Sequence, residues 1–488
     1  MTAMLILYDD TSPAPVAIRQ IIGVERFADL LRQRRRLAEI IEQIALMDEG
    51  RRFVRMSDAA SRAAGIDMLE RSSPDDRIFR LPSSLVPGKL DIFARTLQKL
   101  PYALDRTIFG GRFDDEAAAL LSREDALSLL RITDPGERRS FFSGLSAHAM
   151  HVGNDMGLID LRNVDAFLGY MTGATETRHF NQMAQASGVM RKTSADIAKM
   201  RGEYRYFHVV PEPMKRFLLP TFDYAETADS ASYAMEKLSV PDAAIQMVHH
   251  AFDEASFGTL LEAFFAFVAA RGHNTVGRSV AREAARTEIL DKMHARLDMF
   301  AATEQGLRVD ALMTAGGPHG GLTAMRHRAT ALIEAAIADD TSDTLAIGHG
   351  DPCLSNILFH RDIGLFRLID PRGAQTLDAA WMHPLYDLAK FSHSILGGYD
   401  FINNGLFECQ LDTGLGLSLK LERGGPPEWA QAAFLHALAQ SGTSARVVRA
   451  YELSLFLSML PLHRDNPRKL PAFCLTACAI IDELEHSA

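Results

Sequence analysis

Residues 348–359 read GHGDPCLSNILF, and residues 368–373 read LIDPRG. An acid, an amide and a second acid, Asp351, Asn356 and Asp370, punctuate two apolar, strand-like runs. The bland reading is a pair of turns rich in Asx side chains, which hydrogen-bond their own backbone. The sharper reading is a reacting loop. If PCLS closes a tight turn, Asp351 faces one way and Asn356 the other, and the strand LFRLI fixes Asp370 beside them. Working outward, 345–374 is a small β-island in otherwise helical sequence, a natural place for chemistry.

The chain has 488 residues, too many for one ordinary domain, so two or three are expected. With 47% hydrophobic and 23% charged residues it reads as a globular protein with a large core. A net charge of −10 argues against a general nucleic-acid binder. The one basic run, RQRRR at 32–36, sits in a helical pattern and reads as a solvated helix face. Cys353, Cys409, Cys474 and Cys478 form no CxxC pair, and the last two, four apart in an apolar run, read as buried thiols. That usage suits a reducing compartment. MTAMLILYDD lacks the basic region and apolar length of a signal peptide. LLEAFFAFVAA at 260–270 holds a glutamate and falls short of the ~20 residues of a membrane span. The expectation is a cytoplasmic protein without a membrane span.

Residues 1–170 read as an N-terminal α/β or α+β domain. MLILY is a first strand, VERFADLLRQRRRLAEIIEQIALM has helical spacing, and LPSSLVPG at 81–88 reads as a loop. Ser122, followed by Asp125, caps the helix SREDALSLLRI. Texture changes in 171–243. RHFNQMAQASGVMRKTS at 178–194 reads as two strands joined at Ser-Gly, the second carrying Lys192. The helix SADIAKMRGEYRYFHVV takes Ser194 as its N-cap and sets Lys199 and Glu203 on one face. FLLPTFDY and SYAMEKLSVP are two further strand-like runs. Residues 244–488 are mainly helical, the β-island excepted. GGPHGG at 316–321 lacks the strand and the Gly-x-x-x-x-Gly-Lys spacing of a phosphate loop and reads as a flexible loop.

Phosphoryl transfer needs nucleotide phosphates held, their charge neutralised and an acceptor hydroxyl aligned. Mg²⁺ is satisfied by one or two carboxylates, an amide oxygen and waters. HGDPCLSNILF with LIDPRG resembles the signature of the aminoglycoside phosphotransferase and choline kinase family, which has the protein-kinase-like fold. PLYDLAKFSHSILGGYDFINNGLF at 384–407 resembles a narrower branch, the phosphotransferases of bacterial capsule and surface-polysaccharide biosynthesis. RHFN, VMRKTS, KMRGEYRYF and FLLPTFDY resemble runs of that branch in the same order, so the likeness spans about 178–480. It implies an α+β, bilobal phosphotransferase domain, with a small β-rich N-lobe at 171–243 and a larger helical C-lobe at 244–488. It implies ATP and Mg²⁺ as cofactors.

Residue by residue, the resemblance implies that Asp351 is the catalytic base and that Asn356 and Asp370 hold Mg²⁺. Lys192 contacts the α- and β-phosphates and pairs with Glu203. Met235, Glu236 and Leu238 form the hinge whose backbone meets adenine. His349 supports the loop, and Asp387 is a structural anchor. Arg372 either neutralises phosphate or pairs with an acid; Tyr399 and Asp400 either pack and cap or touch the acceptor. QMAQASGVM carries a single glycine, so no Gly-rich phosphate loop is evident.

The expected function is an ATP- and Mg²⁺-dependent kinase acting on a hydroxyl of a sugar, sugar alcohol or related polysaccharide precursor. Its partners are then a nucleotide and a small sugar-like acceptor. Overall acidity favours a neutral or cationic acceptor. One competing reading is a nucleotide-binding pseudokinase scaffold. Another adds nucleotidyl transfer in 1–170, since the Asp9–Asp10 opening DDTSPAPVAIRQIIG faintly resembles sugar nucleotidyltransferases, although no Gly-rich run follows. A metallohydrolase built on His349, Asp351 and His360 has too few ligands in the sequence.

Overall fold

MLILYD folds as the strand β1 (Met4–Asp9), and every residue in it is buried, as suits an apolar run covered on both faces. The computed structural model describes residues 4–486 apart from 33, 104–105, 110–116, 147–148, 155, 172–180, 187 and 465. Two units emerge, Met1–Ala174 and Thr175–Ala488. In the first, β1 lies between the parallel strands β2 (Arg51–Met56) and β3 (Arg77–Pro82). The sheet continues through β5 (Ala118–Leu121), β4 (Thr107–Phe109) and β6 (Met150–Val152), with β5 antiparallel to both its neighbours. Leu5, Leu7, Ile78, Ile108, Ala119, Leu121 and Phe142 build its core.

Two expectations fail in this unit. RQRRR is no helix face: Leu31–Arg32 pairs with Arg35–Arg36 in a hairpin, and Arg34 turns the chain with φ 61°. Leu30, Leu31 and Leu37 are all buried, so the apolar residues on both sides of the basic run anchor the two hairpin arms. Arg32 lies over the Tyr170 ring, 4.0 Å from its centroid. LPSSLVPG is mostly strand: Leu81 and Pro82 end β3, and Leu85–Pro87 pairs with Leu158–Asp160. The prolines sit at strand ends, where a missing N–H is tolerated, and only the two serines turn.

The second unit begins with an antiparallel sheet of β7 (Asn181–Ala186), β8 (Val189–Ser194), β10 (Ala231–Glu236) and β9 (Thr221–Glu226), in that spatial order. Helix α1 (Ile197–Val209) follows β8. Its N-cap is Asp196, whose carboxylate accepts from Lys199 N at 3.0 Å; Ser194 instead ends β8, and its hydroxyl accepts from Asp196 N. Asp196, two residues later and directly before the first helical residue, takes the cap with its carboxylate.

The rest is a larger helical lobe. Helix α2 (Glu254–Ala270) is followed by α3 (Arg278–Ala285), a π-helical turn Arg286–Asp291 and α4 (Lys292–Ala301) in continuous succession. Then come α5 (Leu322–Asp339), β11 (Thr344–Ile347) and the hairpin of β12 (Ile357–His360) and β13 (Leu365–Leu368). The lobe ends with α6 (Tyr386–Ile395), α7 (Ala445–Ser458) and α8 (Lys469–His486). All side chains from Val447 to Ser458 are buried, so α7 is the central helix of this lobe. Cys474 and Cys478 are buried on α8. GGPHGG is a packed helix–helix turn, not a loose loop: a Cβ on Gly316, Gly317 or Gly321 would come within 2.8, 2.6 or 2.5 Å of a neighbour. Among the described residues no helix is long and apolar enough to cross a membrane.

Candidate active site

Side chains alternate faces along a strand, and Lys192 and Ser194 occupy the buried face of β8. Lys192 Nζ lies 2.7 Å from Glu203 Oε2 on α1 and 3.0 Å from Asp370 Oδ1 beyond β13. Burial works against the ammonium, but Asp370 and Glu203 outweigh it and push Lys192 above its ordinary value. Desolvation likewise works against the Asp370 carboxylate, and Lys192 holds it below the usual range. Lys199, one turn before Glu203, is the more distant partner at 3.6 Å. Sequence reading missed Tyr233. It sits directly across the ladder from Lys192 and donates its hydroxyl to Glu203 Oε2 at 2.9 Å.

Helix α1 also meets the loop quoted at the outset. Tyr206 donates to the Gly348 carbonyl at 2.9 Å, and Ala374 N donates to the Gly202 carbonyl at 3.1 Å. Gly373 adopts φ 87°, and a Cβ there would stand 2.7 Å from Glu203 N. Asp370 itself has φ 55°, a left-handed conformation that is uncommon in a residue with a side chain and that clusters at functional sites. Beneath the loop, Asp387 accepts from His349 N at 2.9 Å and Gly350 N at 2.8 Å, and pairs with the buried Arg271 at 3.2 Å. His349 is fully buried; desolvation keeps its imidazole below the ordinary pKa, and its Nδ1 accepts from Asp351 N at 3.3 Å.

Within the loop, Asn356 Nδ2 donates to the Asp351 carbonyl at 2.8 Å, and Ile369 N donates to the Asn356 carbonyl at 3.0 Å. These bonds bring Asp351, Asn356 and the Asp370 strand end together. The Asp351 side chain meets Lys390 Nζ at 3.0 Å. Lys390 was missed although the sequence offered a signal: it follows Asp387 by three residues, on the same helix. Arg372 is exposed, and its backbone N–H donates to the His349 carbonyl at 2.8 Å.

Met235 and Glu236 end β10, opposite Met190 and Val189. Met235 is buried in an apolar cluster with Met200, Leu219 and Tyr233, against which Met190, Leu238, Leu358 and Ile369 pack. Tyr399 stacks on His393 at 4.1 Å between centroids, and Asp400, which does not cap its helix, is fully buried, its carboxyl pushed up to about 7 by desolvation. Arg178, His179 and Phe180 of RHFN lie outside the described residues.

The donors at the loop suit a magnesium ion. The Asn356 amide spends its N–H on the Asp351 carbonyl, so its Oδ1 is the atom offered to a cation. Asp370 is ionised, and its side chain is 45% exposed. One carboxylate and one amide oxygen, completed by waters, are a sufficient set. Among the described residues no group of three or more His, Cys, Asp and Glu side chains could hold a metal, as the metallohydrolase reading would need.

No family model matches the sequence, and no curated protein matches it. Solved structures do. A thermostable mutant of aminoglycoside phosphotransferase APH(4)-Ia, in its apo form, is similar at 12% identity and a TM-score of 0.38, over 63% of this chain and 92% of that one. A ternary complex of a thermostable APH(4)-Ia mutant with AMP-PNP and hygromycin B is similar at 13% identity and a TM-score of 0.37, over 63% and 91%. Another APH(4)-Ia structure gives 12% and 0.35, over 65% and 97%.

In the first unit, Asp9 and Asp10 lie at the C-terminal end of β1, between parallel neighbours on either side, where open α/β sheets bind ligands. Both acids are engaged. Asp9 Oδ2 accepts from Arg80 at 2.6 and 2.9 Å and from Arg138 at 2.8 Å, and Asp10 Oδ2 accepts from Arg55 at 2.7 Å. Desolvation raises Asp9, but Arg80 and Arg138 outweigh it and hold its carboxyl well below the usual range.

Proposed function

We propose that Thr175–Ala488 is an ATP- and Mg²⁺-dependent phosphotransferase of protein-kinase-like build. Its acceptor is a hydroxyl of a sugar, sugar alcohol or related precursor of a capsule or surface polysaccharide. The observation that carries the reading is the buried Lys192–Glu203 pair closing on Asp370, beside a loop that ends in Asp351. Lys192 would neutralise the phosphates that are not transferred. Asp351 would align the acceptor hydroxyl and take its proton while the acceptor oxygen bonds to the γ-phosphorus and the β,γ-bridging oxygen leaves with ADP. Asn356 and Asp370 would hold Mg²⁺, which would neutralise charge at the phosphates. The apolar cluster of Met190, Met235, Leu238 and Leu358 offers adenine a surface. The polysaccharide assignment rests on the resemblance of 384–407. Residues 1–170 take a structural or regulatory role in this reading.

The test is a screen of hydroxylated acceptors with labelled ATP and the purified full chain. Asp351→Ala lowers kcat by about 10²–10⁴ and keeps nucleotide affinity. Undiminished turnover in that variant would remove Asp351 from the role of base.

A further inference from the structure

Ser279, Glu283 and Thr287 recur every four residues along α3 and the π-helical turn after it, and Val280, Ala284 and Glu288 recur beside them. Residues four apart are neighbours on a helix surface, so these are two adjacent rows of one face. Together they line an open cleft of about 460 Å³, within the ~300–1,000 Å³ of small-molecule sites. Thr287 and Glu288 stand on the π-helical turn itself, a local widening that often marks functional sites. None of the six is a cation. The arginines beside them in sequence turn elsewhere: Arg282 donates to the Ala338 carbonyl at 2.6 Å, and Arg286 lies 3.6 Å from Glu334 Oε1.

Two short routes tie this cleft to the loop of Asp351. Glu288 Oε2 accepts from His383 N at 3.2 Å. Just before His383, Trp381 and Met382 pair with Ile347 and Ala346 of β11, and Gly348, the next residue after β11, donates to the Ala380 carbonyl at 3.1 Å. On the helical side, Lys292, one turn after Glu288, meets the Tyr386 hydroxyl at 2.6 Å. Lys390, one turn after Tyr386 on α6, holds Asp351 Oδ1 at 3.0 Å. Lys292 and Tyr386 thus stand between the cleft and the Asp351–Lys390 pair, which makes the cleft a neighbour of the reacting hydroxyl's place and not part of it.

The lining suits one ligand chemistry. Val280, 47% exposed, and Ala284 offer a small apolar surface for the C–H face of a sugar ring. Ser279, Thr287 and the exposed Glu283 offer partners for its hydroxyls. Burial pushes the half-buried Glu288 carboxyl up to about 7, and a protonated carboxyl both donates to and accepts from a hydroxyl while giving an amine no counter-charge. We propose that the cleft is a second acceptor subsite, which binds a neutral sugar unit adjoining the unit whose hydroxyl Asp351 addresses, so that the acceptor is a glycan of two or more units. This deepens the phosphotransferase reading and rests on it.

The experiment titrates the nucleotide-free full chain with maltose, cellobiose and lactose, with glucose and galactose, and with the chitosan disaccharide as a cationic arm, then measures phosphoryl transfer to each with MgATP. One neutral disaccharide should bind about ten-fold tighter than its monosaccharides and than the chitosan disaccharide. Ala284→Trp, which fills the cleft, should weaken that binding about ten-fold, with AMP-PNP affinity as the check that the chain is folded. Glu288→Leu should do the same, while Glu288→Gln, whose amide also donates and accepts, should stay within about two-fold of the wild type. In transfer, Ala284→Trp should raise the KM of the same disaccharide with kcat little changed, the split expected of a contact away from the reacting atoms. No preference for a disaccharide, a preference for the chitosan disaccharide, or binding unchanged in Ala284→Trp overturns the subsite. Disaccharide binding that Ala284→Trp abolishes, with no phosphoryl group transferred to any sugar, supports the subsite and sinks only the phosphotransferase reading.

Discussion

Asp351 and Lys390 form an ion pair 3.0 Å apart, with only 15% of the lysine side chain exposed. Desolvation works against the Lys390 ammonium, yet Asp351 outweighs it and pushes the lysine above its ordinary value, so the charge is kept where it is expensive to bury. A cation fixed on Asp351 Oδ1 sets the direction of the carboxylate, and in the proposed reaction it would set how that carboxylate addresses the acceptor hydroxyl. Lys390 is then a positioning residue, and the expected signature is selective. Lys390→Met lowers kcat by about 10–100-fold, the order expected for a misaligned reacting group, while AMP-PNP affinity is kept. Lys390→Arg restores part of the rate, because the charge returns with a different reach. Steady-state kinetics with a titration of AMP-PNP reads both quantities. A purely structural lysine would lose melting temperature in the Met variant and leave kcat per folded molecule unchanged.

At the scale of elements, α1 joins the two halves of the site. Glu203 on its buried face meets Lys192, Tyr206 one turn on reaches the Gly348 carbonyl, and Gly202 accepts from Ala374 N. The contact is possible because Gly373 has no Cβ and takes φ 87°. Gly373→Ala must both strain that backbone and push the loop away from Glu203 N on α1, a combined cost of roughly 2–4 kcal/mol. A lower denaturation midpoint, and weaker nucleotide affinity as Lys192 and Glu203 are pulled from Asp370, are the expected results; an unchanged affinity would show that α1 does not hold the phosphate side. This is also where sequence legibility divides. The strand with Lys192, the helix with Glu203 and the acid–amide–acid island were readable because each has its own periodicity or turn chemistry. Tyr233 was not singled out, because its role comes from a cross-strand register that no local pattern encodes, whereas Lys390, three residues after Asp387 on one helix, was within reach of the sequence and was passed over. RQRRR was misread because arginine suits a helix, and the burial of the leucines on both sides, a tertiary fact, decided for a hairpin.

At the scale of the whole molecule, each unit has a buried ionic centre of its own, and they make different demands. In Thr175–Ala488 the centre includes a half-exposed acid, Asp370. In Met1–Ala174 it is closed: Asp9 and Arg80 are both buried, and Arg138 completes the group. Asp9 is bonded by Arg80, Arg138 and Thr11, so its carboxylate is engaged by side chains of its own unit. Removing one member of such a group leaves a buried charge alone, at about 3–5 kcal/mol. Asp9→Ala should therefore destabilise Met1–Ala174 and leave the phosphoryl transfer proposed for Thr175–Ala488 intact. The sign with pH follows from the lowered carboxyl. Its stabilisation is complete above the unfolded-state value of about 4 and is lost as the pH falls below it toward the folded value. In the wild type the melting temperature of this unit should drop as the pH is taken below about 4, and in Asp9→Ala that part of the acid sensitivity should vanish. Calorimetry across pH, with phosphoryl transfer measured at neutral pH, checks both halves. Loss of transfer in a folded Asp9→Ala chain would tie the N-terminal acids to catalysis and reopen the bifunctional reading.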